Sequence, residues 1–361
     1  MADHPYASMP DYASWRRSVA APAPEDVDPV GKFALTVSPT DKVATAESCF
    51  AQHIARRLKA SGFTYFVTEP GHPLLGEKLQ SEFGYGVFSA RFGNIYTTRQ
   101  LRQLFDRAYG TFVPVEDCWR QGKRFIDPYR PTIQPNGFAS EGEFRADRAQ
   151  HLAAVRRMFE ELDIFVFTLG LTEGFVSAQD GAAFPVCPGV SGGEFDPARH
   201  HFVNERVSDV VANLQAFLAG LRRVNPASRV VLTVSPVPLK ATAEDRHVLQ
   251  STVYSKSVLR VAAQEIADSH ADVAYFPSYE IITGAFNRGA YFGPDLREVE
   301  EAGVEHVMKL FFRHATHGEA IPTAPAPRSR ADRLMARASA ATALVCDEEL
   351  LDLEDENRAE R

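Results

Sequence analysis

The stretch Asp163–Phe175, "DIFVFTLGLTEGF", is the part of the sequence that decides the fold class. Ile164 to Leu169 form an unbroken apolar run, which is typical of a central parallel strand covered on both faces. Gly170 follows the run at once, and the polar residues Thr172 and Glu173 come one position later, so we predict that the strand ends in a loop at Gly170 to Glu173.

Strand-like and helical segments alternate on both sides of this run. This alternation predicts an α/β fold with an open parallel sheet, whose ligands bind at the carboxyl ends of the strands. The loops "AESC", "LGLTEGF", "TVSPVPLKA" and "FPSYE" should therefore converge on one edge. The other predicted strands are "KVATA", "FTYFVT", "RVVLTVSP" and "VAYFPS", and the predicted helices are Cys49 to Ala60, "TTRQLRQLFDRAYG", Glu143 to Glu161, Val207 to Val224, Ser251 to Ser269 and about Glu300 to Arg313.

The predicted organisation is one domain, 37–320, after an N-terminal arm, 1–36. Two irregular insertions are expected near 111–142 and 176–204, and the acidic tail 321–361 is predicted to be disordered. The first insertion contains Trp119, Phe125 and Tyr129. These aromatic side chains fit either stacking on a sugar or packing against the core.

Composition excludes several classes of function. The chain has 361 residues, 45% of them hydrophobic and 24% charged, and its net charge of −8 argues against nucleic-acid binding. No apolar run is long enough for a membrane span, and the first residues lack the order of a signal peptide. Four scattered cysteines predict reduced thiols in a cytoplasmic protein, with no metal site. No phosphate loop or dinucleotide fingerprint is present, so we expect no cofactor.

Ser48 stands where "KVATA" passes into the first predicted helix. The free N–H groups and the dipole of a helix N-terminus favour developing negative charge, as a nucleophile's reaction requires. Serine is also a preferred N-cap, so a purely structural role explains the same position. The neighbouring Cys49 is a second possible nucleophile or a small packing residue.

A set of motifs in a fixed order resembles the GSCFA family, a branch of the SGNH/GDSL hydrolase superfamily. The likeness runs from about Val37 to Arg313, and it implies a three-layer α/β/α, flavodoxin-like SGNH hydrolase fold with a parallel central sheet. The motifs are "ESCFAQHIARRL", "FGNIYTTRQL", "FVFTLGLTEGF", "LTVSPVPL", "YSKSVLR", "YFPSYEI" and "FGPDLREVEEAGVEHVM".

The resemblance implies roles for individual residues. Ser48 matches the nucleophile, and Gly93 matches a glycine whose backbone N–H helps to hold the oxyanion. Thr172 stands where the usual oxyanion asparagine would be, and Asp295 matches the aspartate of the final D-x-x-H block. Two more residues could contribute to substrate binding. Asn94, with Tyr96, could line a pocket or build its loop, and Glu173 could pair with Arg99 or orient the base.

Two departures affect the chemistry. Glu47 replaces the first glycine of the family name, and Glu298 stands where the histidine of the D-x-x-H block belongs. A nucleophilic serine needs a general base, usually an imidazole. We favour His247, in the loop after "RVVLTVSP", although it could be a simple polar loop residue. His306 and Lys256 are the alternatives.

The expected function is that of a serine-dependent esterase that removes O-acyl groups, in particular O-acetyl groups, from a carbohydrate or small-molecule ester through an acyl-serine intermediate. Ser48 attacks, His247 carries the proton, and Asp295 orients the imidazole. An O-acyltransferase using the same site and a catalytically degenerate SGNH-fold binding protein are the alternatives.

Overall fold

The computed structural model describes residues 4, 6–46, 57–58 and 60–316, apart from the side chain of Glu77. In chain order the strands are β1 (Val43–Ala46), β2 (Trp119–Gln121), β3 (Arg124–Ile126), β4 (Ile164–Leu169), β5 (Glu173–Ser177), β6 (Ala183–Phe184), β7 (His200–Asn204), β8 (Arg229–Val234) and β9 (Val273–Tyr275). The helices are α1 (Glu77–Glu82), α2 (Thr98–Ala108), α3 (Glu141–Glu161), α4 (Val207–Val224), α5 (Val248–Ser269), α6 (Ser278–Thr283) and α7 (Glu301–Ala315).

The central sheet has the order β1-β4-β8-β9, and all its neighbouring strands are parallel. β4, the predicted central strand, pairs with β1 on one side and with β8 on the other. The predicted strand "FTYFVT" contributes only one parallel bridge, from Tyr65 to Val43 on the outer side of β1. Chain order therefore reverses between β1 and β4, which is where open α/β sheets bind their ligands.

Helices cover both faces of the sheet, which confirms the three-layer α/β/α prediction. Phe165, Phe167 and Leu169 of β4 belong to a hydrophobic core shared with α2, α3, α4 and α5. Ile164 and Val166, the alternating residues of the same strand, belong to a second core shared with α6 and α7. Successive side chains of a strand point to opposite faces, so one continuous apolar run supplies both cores.

Local capping signals set several helix boundaries. Thr97 and Gln100 form a capping box at the start of α2, and the Ser140 hydroxyl accepts the Glu143 N–H at the start of α3. α4 has the predicted bounds, whereas α5 begins three residues earlier than predicted, because His247 caps it. The short helix α1 was not predicted.

The two insertions predicted to be irregular contain small sheets. β2 and β3 form an antiparallel hairpin, and β6-β5-β7 form a three-stranded antiparallel sheet. The ring centroids of Trp119 and Tyr129 lie 5.5 and 5.9 Å from that of Phe184, and all three side chains are buried. This packing accounts for Trp119 and Tyr129, while Phe125 is half-buried.

The segment before the first strand packs against α7. Val27, Leu35 and Val37 are buried, and the Asp28 carboxylate accepts hydrogen bonds from His314 and Arg313. The tail 321–361 lies outside the described residues, so the prediction of disorder there is not tested. None of the helices described here is long and apolar enough to cross a membrane.

Candidate functional site

The segment 89–97 crosses the carboxyl edge of the sheet between β1 and β4. The Thr45 N–H of β1 donates to Ser89 Oγ at 2.9 Å, and the N–H groups of Gly170 and Leu171 donate to Tyr96 O at 3.1 and 2.9 Å. A Cβ at position 170 would lie 3.0 Å from the same carbonyl oxygen. The glycine at the end of β4 therefore allows the two backbones to approach.

Gly93 belongs to this crossing segment and has a φ of +72°, a conformation that side chains with a Cβ rarely adopt. Hydrogen bonding to Gly170 and Leu171 thus brings the segment of Gly93, predicted to hold an oxyanion, next to the 170–173 loop. β1 ends at this edge at Ala46. Ser48 and Cys49 follow in the sequence but lie outside the described residues.

Thr172 is fully buried, and its hydroxyl donates to Asn204 Oδ1 at 2.7 Å. The Asn204 amide orientation follows from its other bond, because Nδ2 donates to Glu244 Oε1 at 3.0 Å. A threonine hydroxyl has one hydrogen, so it cannot also donate to an oxyanion in this conformation. The Thr172 hydroxyl, the predicted third oxyanion donor, therefore already donates its hydrogen to Asn204.

One of the two interpretations of Glu173 paired it with Arg99, and the structure does not contain this pair. Arg99 Nε donates instead to Glu205 Oε1 at 3.0 Å. Thr242 Oγ1 lies 2.9 Å from both carboxylate oxygens of Glu173. Burial and the neighbouring Glu244 carboxylate raise the pKa of Glu173 despite this hydrogen bond. Glu173 is thus a half-buried carboxyl group whose ionised form is less favoured than in water.

His247 is exposed and caps α5, because its Nδ1 accepts the Leu249 N–H at 3.1 Å. A neutral imidazole whose Nδ1 accepts a hydrogen bond carries its proton on Nε2. This tautomer cannot take a proton at Nε2. His247 would have to give up the cap before it could serve as a base through that nitrogen.

Asp295 lies in an exposed loop and organises its own turn. Its carboxylate accepts the N–H groups of Arg297 at 3.1 Å and Glu298 at 3.0 Å. Partial burial opposes ionisation, but these hydrogen bonds and the Arg297 charge outweigh it and lower the pKa of Asp295. No hydrogen bond or ion pair joins Asp295 to His247, although the structure describes both side chains. The predicted orientation of His247 by Asp295 is therefore not present in this conformation.

The two alternative bases are both buried. Lys256 Nζ donates to Gly170 O at 2.7 Å, so the ammonium group supports the loop after β4. His306 Nδ1 lies 2.9 Å from the Tyr291 hydroxyl, within the core formed by α7. Burial lowers the pKa of His306. Glu298, at the position of the expected histidine, is exposed.

Asn94 is buried and faces a cavity that begins beside Gly93. About 20 Å³ inside it is accessible to water, and the cavity is partly open to solvent. α2, α3 and both insertions contribute to its walls, which include Asn94, Gln100, Gln103, Arg107, Tyr129, Arg130 and His151. Of the two interpretations offered for Asn94, its position in this wall supports the pocket.

His151 is a buried polar residue next to this cavity. The side chain is fully buried on α3, and its Nδ1 lies 2.7 Å from Glu69 Oε2. Burial and the Arg130 charge lower the pKa of His151, although the Glu69 carboxylate opposes this shift. No local motif could have revealed this pair, since its members are 82 positions apart.

The fold and the edge geometry define a three-layer α/β/α protein with a candidate site at the carboxyl ends of β1 and β4. The family model described as the GSCFA family matches residues 42–311, most of the chain. The protein therefore belongs to the GSCFA family. No curated protein matches the chain significantly. The match includes Gly93, the 170–173 loop and Asp295.

Proposed function

We propose that the protein is a serine-dependent esterase that removes O-acyl groups, with carbohydrate O-acetyl esters as its substrate class. The observation that carries the proposal is the bonding of Gly170 and Leu171 to Tyr96 O. It supports a site where the Gly93 segment, the 170–173 loop and the end of β1 meet at the topological switch point. Family membership supports Ser48, two residues beyond β1, as the nucleophile.

In the proposed reaction, Ser48 Oγ attacks the ester carbonyl carbon while a base accepts the hydroxyl proton. The backbone N–H groups of Ser48 and Gly93 stabilise the oxyanion. The intermediate collapses to an acyl-serine as the alcohol leaves with the proton, and water then releases the acid. Thr172 is not included as a donor, because its hydroxyl donates to Asn204. Losing one oxyanion donor typically slows such enzymes about 10²–10³-fold.

His247 is the base of this proposal, and its use requires a local change. The Leu249 N–H must leave Nδ1, so that the proton moves to Nδ1 and Nε2 becomes the acceptor. The exposure of the ring and its place at the end of a loop allow such a movement. Glu173 lies close to the start of the same helix, α5. Its carboxylate contacts Thr242 Oγ1, which lies 3.1 Å from Ser251 Oγ. Ser251 is one helical turn beyond His247.

A binding protein with a degenerate site is the second candidate. The observations that favour it are Glu298 in place of the expected histidine and the use of His247 as a helix cap. In that case the cavity beside Asn94 would hold a ligand without any acyl transfer.

Labelling with a fluorophosphonate distinguishes the two candidates. We expect the wild-type protein to be labelled on the peptide containing Ser48 and to hydrolyse p-nitrophenyl acetate. Ser48→Ala should lose both properties, whereas Cys49→Ala, the adjacent control, should keep them. A wild-type protein that is neither labelled nor active would exclude the esterase and leave the binding role.

A further inference from the structure

The segment 242–247 leads into α5 and ends at His247, the base of the proposed reaction. Thr242 and Glu244 are half-buried, and the other four residues of the segment, His247 among them, are exposed. An exposed segment with few buried contacts opens easily unless side chains tie it to the rest of the fold. The contacts of Thr242 and Glu244 therefore determine how firmly the backbone that carries His247 is held.

The first of these contacts reaches Glu173, at the start of β5. Thr242 Oγ1 lies 2.9 Å from both carboxylate oxygens of Glu173 and 3.1 Å from Ser251 Oγ in the first turn of α5. The Ser251 N–H in turn donates to His247 O at 3.2 Å. A short chain of hydrogen bonds thus joins the Glu173 carboxylate to the backbone of His247.

A second contact begins at Thr172. Its hydroxyl donates to Asn204 Oδ1, and Asn204 Nδ2 donates to Glu244 Oε1 at 3.0 Å. The other oxygen of Glu244 lies 3.0 Å from Arg246, and the Glu244 N–H donates to Thr242 Oγ1 at 3.1 Å. The two contacts therefore belong to one network, which reaches the segment 242–247 from two neighbouring residues of the 170–173 loop.

The other end of this network is fixed in the fold. Thr172 is fully buried, and its N–H donates to Ser255 Oγ of α5 at 3.1 Å. Glu173 is paired with Asn204 in the register of β5 and β7. Because a helix and a sheet hold these residues, they form a rigid support against which the exposed segment is held.

Stability does not account for the charge of Glu173. Burial and the Glu244 carboxylate raise the pKa of Glu173 above its ordinary value of 4.5, although hydrogen bonds from Thr242, Ala243 and Ser251 oppose the shift. A raised folded-state pKa means that the ionised group costs stability as the pH rises above that value. A carboxylate kept at such a cost beside a candidate site is typical of a residue that serves function.

We propose that Glu173, assisted by Thr172, is a positioning residue that anchors the segment 242–247 and so places His247 for proton transfer with Ser48. The anchor holds the backbone, so the imidazole can leave the helix cap by rotation about its side-chain bonds. The role of His247 in this inference rests on the proposed function, whereas the anchoring itself does not. Thr172 thereby has a use other than that of an oxyanion donor.

Amide hydrogen exchange of the full chain tests the anchoring without any assay of activity. Glu173→Gln places an NH2 group where a carboxylate oxygen accepts, and should speed exchange in 243–250 at least about tenfold with little change in the urea midpoint. Thr172→Val should act in the same direction. The control is Glu280→Gln, because Glu280 bonds to α5 at Arg260, far from the helix start, and should leave 243–250 unchanged. Unchanged exchange in Glu173→Gln would overturn the anchor, whether or not the protein is an esterase.

Kinetics with p-nitrophenyl acetate test the positioning of His247. Glu173→Gln should lower kcat about tenfold and leave KM nearly unchanged, because it displaces the base rather than the substrate. In a His247→Asn background the same change should cause no further loss, since the group that it positions is absent. An unchanged kcat in Glu173→Gln, or a further tenfold loss in the double variant, would overturn the positioning role. A wild-type protein without activity would instead exclude the esterase, and hydrogen exchange would still decide the anchor.

Discussion

Two polar regions of the molecule are built in opposite ways. In the loops that carry His247 and Asp295, each side chain bonds to backbone two or three residues further along. In the buried cluster behind the cavity, Glu69 meets His151 across 82 positions, and Arg91 meets Asp147 across 56. The first region consists of local turns and caps at the surface. The second exists only when distant elements pack together.

The difference matters for energetics. Exposed side chains that satisfy nearby backbone can be replaced at little cost, because water takes over their hydrogen bonds. A buried charge that loses its partner remains in a low-dielectric environment without compensation. Substitutions in the buried cluster should therefore lower the free energy of unfolding strongly, whereas substitutions in the exposed loops should change it little.

The largest expected effect is that of Asp127→Asn, which leaves Arg130 and Arg148 without a shared carboxylate. Removing one partner of a buried ion pair costs about 3–5 kcal/mol, and urea denaturation should show a loss of this size. Asp295→Asn, a loop carboxylate, is the matched control and should cost less than about 1 kcal/mol. Equal losses in the two variants would remove the distinction between the regions.

Lowering the pH should destabilise the protein mainly through the buried cluster. Burial opposes ionisation of Glu69, but the electrostatic attraction and the hydrogen bond of His151, the Arg91 N–H and the Arg130 charge together lower its pKa to about 2, from an ordinary value of 4.5. Because the folded-state pKa is lowered, its stabilisation is complete above pH 4.5 and is lost as the pH falls towards 2. The shift corresponds to about 3 kcal/mol, measured as the free energy of unfolding against pH.

Glu69→Gln should flatten this acid dependence. Glu205→Gln is the control, because burial raises the pKa of Glu205, and its removal should not reduce the sensitivity to acid. If both variants keep the wild-type slope, Glu69 is not the group responsible.

Gly170→Ala tests the contact that joins β4 to the crossing segment. The added Cβ would lie 3.0 Å from Tyr96 O, so backbone must shift, at a cost of about 1–3 kcal/mol. The rate of p-nitrophenyl acetate hydrolysis should fall together with the stability, because the Gly93 segment moves. At Gly174 the nearest atom to an added Cβ is 3.9 Å away, and Gly174→Ala should be tolerated. Full stability and activity in Gly170→Ala would show that this contact does not organise the site.

The smallest stability effect is expected at His247, where loss of the helix cap in His247→Ala should cost about 0.5–1 kcal/mol. His247→Asn keeps an N-cap acceptor but removes the imidazole, so it should retain stability and lose ester hydrolysis. Thermal unfolding and p-nitrophenyl acetate turnover separate the two roles. An active His247→Asn protein would rule out His247 as the base.

Much of the fold could be predicted from the sequence. The apolar run of β4, the alternation of strands and helices, and caps such as Thr97 are local signals. The small sheets in the insertions were missed, because β6 is only two residues long, β2 and β3 have three each, and β5 and β7, with five each, show no alternation of buried and exposed residues. Such short strands carry too little periodicity to be recognised.

The sequence by itself determined the family, the layered α/β fold and the loops that meet at the carboxyl edge, because strand periodicity and motif order are encoded locally. Only the tertiary structure decided that Arg99 pairs with Glu205, that the Thr172 hydroxyl donates to Asn204, and that the buried Arg107 Nη2 has no hydrogen-bond partner among the described residues. These outcomes depend on which side chains compete for a partner once the chain is packed. Residues far apart in sequence can supply these partners as readily as near neighbours, so no local sequence pattern predicts which pairs form.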